Sequence, residues 1–175
     1  MQDYGLQKKR AEKFFKNKDY LEFSRGRMTE KGFYNSLIKK HLKFELTFKQ
    51  VKFAHDYHLH DINEEVRLIL KELNSKHEVA IVTNTNKWQT ERVKKLIDLT
   101  EYSERIFCSN EMGMLKTDDG CFPFVLKELG IRANKAILVD DKLANIKKAK
   151  EYGINGLLYK NPELLMADLK SLGLL

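Results

Sequence analysis

The sequence predicts an α/β fold: a Rossmann-like parallel sheet covered by helices, with a helical segment ahead of it. Three observations carry this. From Asp61 onward, short apolar runs alternate with amphipathic stretches. Before Leu59 there is helical spacing but no strand signal. Polar residues close the apolar runs, at the strand ends where such sheets bind ligands.

The elements follow in order. "QKKRAEKFFKN" and "MTEKGFYNSLIKKHL" carry residues at helical spacing, the second Phe33, Leu37, Ile38, His41 and Leu42, with Thr29 as its N-cap. "INEEVRLILKELNSK" is an amphipathic helix with Val66, Ile69, Leu70 and Leu73 together. "EVAIVTN" is a strand and "KWQTERVKKLIDL" a helix. "RIFCS" is a short strand, followed by a loop, "NEMGML". "CFPFVLKELG" is a helix that Gly130 ends. "AILVD" is a strand, "LANIKKAKEYG" a helix ending at Gly153, and "GLLY" a last strand. The expected division is a cap at 1–60 and a core at 61–175.

Composition narrows the function. The 175 residues are 42% hydrophobic, enough for a packed core. No apolar stretch approaches the roughly 20 residues that span a bilayer, and no signal-peptide segment opens the chain, so a cytoplasmic location is expected. Cys108 and Cys121 form no CxxC pair, which argues against a structural zinc site. The net charge of +7 invites a nucleic-acid reading, but the lysines are interleaved with acids, as in "VKKLIDLTEYSER". Small anionic substrates suit that charge better. The sequence does not set the oligomeric state.

Three polar signals sit at strand tips or just beyond: Thr83-Asn84 after "VAIV", Lys116 after the "RIFCS" strand, and Asp140-Asp141 after "AILV". Strand-tip geometry would bring them to one edge of the sheet. Paired carboxylates suit a hard cation such as Mg²⁺. The ammonium and the hydroxyl suit phosphoryl oxygens, over which charge spreads in phosphoryl transfer. The set lacks a nucleophile.

With these residues in register, the chain resembles haloacid-dehalogenase-superfamily hydrolases with a helical cap after the first strand. "VAIVTNTN" is similar to the second motif of that family. "GMLKTDDGCFPFVLKELG" is similar to the third, with Lys116, Asp118 and Phe122 in place and Thr117 where proline is usual. "AILVDDKLANIKKAKEYG" is similar to the fourth, with Asp140, Asp141, Asn145, Ala149 and Gly153. "FSRGRMTEKGFYNSL" resembles the cap. The resemblance implies Mg²⁺-dependent hydrolysis of a small phosphate monoester through an aspartyl-phosphate. Asp140 and Asp141 would hold Mg²⁺. Thr83 and Asn84 would hold the phosphoryl group, and Lys116 would neutralise it. The family's first motif, an apolar strand ending in Asp-x-Asp, has no match here; Asp3 follows only Met1 and Gln2. That strand normally lies between the Thr83 and Asp140 strands. The expectation is a chain that begins inside a longer gene and is inactive as written. A non-catalytic binding or regulatory module is the alternative.

Blander readings stand beside these. Asp140-Asp141 alone suits a helix start. Thr83 can be an ordinary strand end, Asn84 a turn former, and Lys116 one lysine among many. "HDYHLHD" has the composition of a metal site, but hinge polarity is the better reading of His55, His58 and His60. Cys108 reads as core, Arg25 as cap surface or substrate contact. Trp88 reads as helix packing against the sheet rather than as a base-stacking platform.

Overall fold

A computed structural model describes residues 17–40, 46–56, 59 and 62–175. The chain divides into two compact units. The first comprises residues up to 60 with 84–95 and 108–113; the second comprises 61–83, 96–107 and 114–175.

The first unit is helical. Helix α1, Lys18–Ser24, starts where the Asn17 side chain accepts the Tyr20 N–H. Helix α2, Glu30–Lys40, is capped by Thr29, whose hydroxyl accepts the Gly32 N–H at 3.0 Å, as expected. Helix α3, Phe48–Asp56, contains His55, which the sequence reading had placed in a polar hinge. His58 and His60 lie outside the described residues. Helix α5, Lys87–Leu96, contributes Trp88. Trp88, Phe23 and Phe33 are almost fully buried, with Phe48 and His55 edge-on to the indole. Trp88 therefore packs in a helical aromatic cluster, not against a sheet, and it has no face for a base.

Gly26 explains the "SRGR" turn. Its φ is +69°, and a Cβ there would meet the Asn110 carbonyl oxygen at 2.1 Å. Asn110 belongs to α6, Ser109–Met112, a helical turn within the stretch the sequence reading left as a loop. The buried Ser109 hydroxyl accepts the Thr85 N–H and lies within hydrogen-bond distance of the Ser24 and Thr85 carbonyls. One side chain thus ties three separate chain segments together.

The second unit holds α4, Glu64–Asn74, and strands β1, Ala80–Thr83, and β2, Arg105–Cys108, whose last residue falls in the first unit. Beyond these lie α7, Cys121–Leu129; β3, Ile137–Asp140; α8, Leu143–Glu151; β4, Asn155–Leu158; and α9, Pro162–Ser171. Among the described residues the strands form two ladders, β1 with β2 and β3 with β4. β3 and β4 are parallel, with Ile137 opposite Asn155 and Asp140 opposite Leu158. α8 links them as the crossover a parallel pair requires.

Both faces of the β3–β4 pair contribute to apolar clusters. Leu138 and Ile154 join Phe122 and Ala149 from α7 and α8. Leu157 and Tyr159 join Ile69, Leu165 and Leu169 from α4 and α9. Within the apolar run "AILV", Leu138 packs under the helices while Val139 is exposed. Gly156 permits the close approach of α8, since a Cβ there would lie 2.8 Å from Ile146. Helix α9 was not anticipated, although "NPEL" holds its signal. Asn161 accepts the Leu164 N–H at 2.8 Å and Pro162 opens the first turn.

Candidate functional site

The site is built on the end of β3. Its last residue, Asp140, is buried, whereas Asp141 is exposed. The Asp140 Oδ1 accepts the Lys142 N–H at 2.8 Å and the Asn145 side-chain amide at 2.9 Å. These bonds tie Asp140 to the residues that open α8, but the N-cap of that helix is Lys142, without a side-chain cap bond, so Asp140 is not the helix cap of the blander reading. Oδ2 receives the Lys116 ammonium at 2.5 Å. Lys116 and Asp140 side chains are 13% and 3% exposed, so a half-buried ammonium meets a buried carboxylate that has two further hydrogen bonds. Such satisfaction is what makes a buried carboxylate tolerable.

Lys116 is delivered by a turn. The Leu115 N–H donates to the Asp118 Oδ2 and the Asp118 N–H to the Leu115 carbonyl, both at 2.9 Å. Leu115 is buried beneath. The turn forms with Thr117 in the place where the sequence comparison expected proline. Asp118 is thus a positioning residue for Lys116.

Not every predicted residue joins this pair. Thr83 is the half-buried last residue of β1, and Asn84 follows it. Among the described residues the polar contacts of the Asp140 side chain come from Lys116, Lys142 and Asn145; Thr83 adds none. Asp141 pairs with the Lys142 ammonium at 2.7 Å and raises its pKa.

The other candidates resolve simply. Arg25 pairs with Glu22 one helical turn away, at 3.1 Å. His55 lies 3.2 Å from both Asp56 and Asn86, and no group of three potential metal ligands occurs among the described residues. Asn86, which the sequence reading passed over, caps α5: its carboxamide oxygen accepts the Gln89 N–H, and Gln89 Oε1 accepts the Asn86 N–H, each at 3.1 Å. "NKWQ" has that capping spacing. Burial pushes the Cys108 thiol up and the Cys121 thiol to about 11, so both are core groups.

A hard cation is compatible with this donor set as one side of its shell. Asp140 and Asp141 offer carboxylate oxygens, and Mg²⁺ usually fills its remaining positions with water and phosphate oxygens.

Residues 6–158 match the family model of haloacid dehalogenase-like hydrolases. The chain belongs to this family. Among solved structures it is similar to a family enzyme from Bacteroides thetaiotaomicron in complex with magnesium and inorganic phosphate, at 27% identity and a TM-score of 0.76. That likeness covers 86% of this chain and 78% of the other. A predicted hydrolase of the same family from Porphyromonas gingivalis has the same fold, at 22% identity and a TM-score of 0.78, over 93% and 82% of the two chains. Flavin mononucleotide hydrolase 1 of Arabidopsis thaliana is 32% identical over 97 residues, which are 55% of this chain and 39% of the plant protein. The drimenol cyclase of Aspergillus calidoustus is 27% identical over 161 residues, 86% of this chain and 29% of the fungal one. This chain therefore spans well under half the length of these two relatives. Among the described residues no helix is long and apolar enough to cross a membrane.

Proposed function

We propose that this chain carries the cation- and phosphate-holding part of a Mg²⁺-dependent phosphatase site for a small phosphate monoester. The observation that carries the proposal is the Lys116–Asp140 pair, with its carboxylate buried, at the tip of a parallel strand, in a chain of this hydrolase family. Asp140 and Asp141 would hold the metal, which when bound supplies positive charge to the phosphoryl oxygens. Lys116 would meet the same oxygens as a point charge held by the 115–118 turn. Thr83 would donate its hydroxyl and Asn84 its amide. Residues 1–60 would act as the cap that selects the ester. The magnesium and phosphate in the Bacteroides relative support the choice of ligands, and the plant relative makes flavin mononucleotide a natural first substrate to assay.

The 175-residue chain, in this reading, does not turn the ester over by itself. It contains no apolar run ending in Asp-x-Asp to supply a nucleophile. The lack of a ladder between β1 and β3 among the described residues supports a strand position left between them. The same observation favours a second reading, a non-catalytic module that binds phosphate compounds.

The test uses the purified chain with p-nitrophenyl phosphate and flavin mononucleotide in the presence of Mg²⁺. Binding without turnover is expected. Hydrolysis abolished by Asp140→Asn would overturn the claim of inactivity while supporting the site. Failure to bind either Mg²⁺ or phosphate would sink the site itself.

A further inference from the structure

Lys116 and a cation claim the same oxygen. The Asp140 Oδ1 is engaged by the Lys142 N–H and the Asn145 amide. Oδ2 is the oxygen that can turn to a metal, and it lies 2.5 Å from the Lys116 ammonium. The second carboxylate, Asp141, is matched by the Lys142 ammonium at 2.7 Å. Two carboxylates and two ammonium groups leave this set without net charge. A divalent cation approaching these four groups alone gains no net attraction from them and is repelled by the nearer ammonium. A phosphate dianion changes both conditions. It offers Lys116 a further anionic partner, and it brings oxygen ligands that a hard cation prefers.

We propose that Lys116 makes cation and phosphate binding interdependent. With neither ligand present, the ammonium neutralises Asp140. When both arrive, it transfers to a phosphate oxygen and leaves Oδ2 to the cation. The lysine stem is rooted in the turn that Asp118 closes, so only the end of a flexible side chain has to move. No bond is made or broken in this exchange of ionic partners. The inference rests on the site reading given under Proposed function and extends it from which residues bind to the order in which ligands are accepted.

The experiment measures Mn²⁺ binding to the 175-residue chain from the electron paramagnetic resonance signal of the unbound ion. It is run with and without orthophosphate, with complexation in protein-free buffer subtracted. Phosphate is expected to tighten Mn²⁺ binding within the range of about 5- to 150-fold that typical coupling energies give, and Mn²⁺ must tighten phosphate binding by the same factor. In Lys116→Met, Mn²⁺ binding without phosphate should become tighter than in the wild type, and the phosphate effect should shrink. A residue with a merely structural role would weaken both. Lys116→Gln, which retains a hydrogen bond to Asp140, is the second variant should the first fail to fold. Mn²⁺ affinity that ignores phosphate in the wild type, yet is lost in Asp140→Asn, would overturn this inference and leave the site reading intact. An unchanged phosphate effect in both lysine variants would overturn it equally. Absence of Mn²⁺ binding even with phosphate would remove the site reading and this inference together.

Discussion

The Trp88 indole nitrogen donates to the Glu30 carboxylate at 2.6 Å, tying the first turn of α2 to α5. Lys87 and Lys52 lie 3.0 and 3.5 Å from the same carboxylate. Partial burial works to raise the Glu30 pKa, but the Lys87 and Trp88 hydrogen bonds and the nearby ammonium charges outweigh it and hold it below the usual value of 4.5. A carboxyl depressed in the folded state adds stability above its unfolded pKa and loses it as pH falls through the folded one. The melting-temperature advantage of the wild type over Glu30→Gln should therefore be full at pH 7 and shrink below about pH 4.5. A gap that persists unchanged to pH 3 would contradict this account.

Trp88 itself is the largest fully buried side chain of the first unit. Trp88→Ala should cost about 3–5 kcal/mol, and Trp88→Phe clearly less, because it keeps a ring while losing the Glu30 bond. Urea midpoints compared at constant slope measure both.

Breaking the buried pair at the site should be costly. Lys116→Met leaves Asp140 without its ammonium and should destabilise by about 3–5 kcal/mol. Adding Asp140→Asn removes the stranded charge, so the double variant should lose less than the sum of the two single losses. Strict additivity in a double-mutant cycle would show that the pair is not coupled.

Two glycines separate backbone strain from steric clash. Gly113 has φ +76° and open space where a Cβ would go, so Gly113→Ala should cost only about 1–2 kcal/mol for the left-handed conformation. Gly26→Ala meets the same conformational cost plus a backbone oxygen at 2.1 Å and should lose distinctly more. Thermal melts of the two variants, side by side, give the comparison; equal losses would mean that the α1–α6 approach relaxes without cost.

Much of this fold was legible because local signals agreed with one another. "AIVT", "RIFC" and "ILVD" are β-branched or apolar runs bounded by polar residues, and each is a strand. Strand-tip reasoning groups Thr83-Asn84, Lys116 and Asp140-Asp141 at one sheet edge; of these, Lys116 and Asp140 touch. The misses have physical causes. "FKQVKFAHD" is a helix, in keeping with the helical reading of the chain up to Leu59, but it extends through His55, which was read as hinge polarity because the histidines sit together. Helix α9 begins with an Asn-Pro cap rather than an apolar signal. Trp88 was assigned to a sheet because sequence spacing shows which residues share a face but not what that face meets. The Asn86–Gln89 cap was readable from spacing alone and was missed because Asn84, beside it, matched the family motif.

The first unit is not a continuous piece of chain. Trp88 and Ser109, which knit it together, arrive from residues 84–95 and 108–113, long after its first helices. Its aromatic cluster cannot close until the polypeptide has been made through Trp88, with the second unit's α4 and β1 already laid down in between. A protease cut near residue 60 would consequently separate the first helices from the indole that fills their cluster.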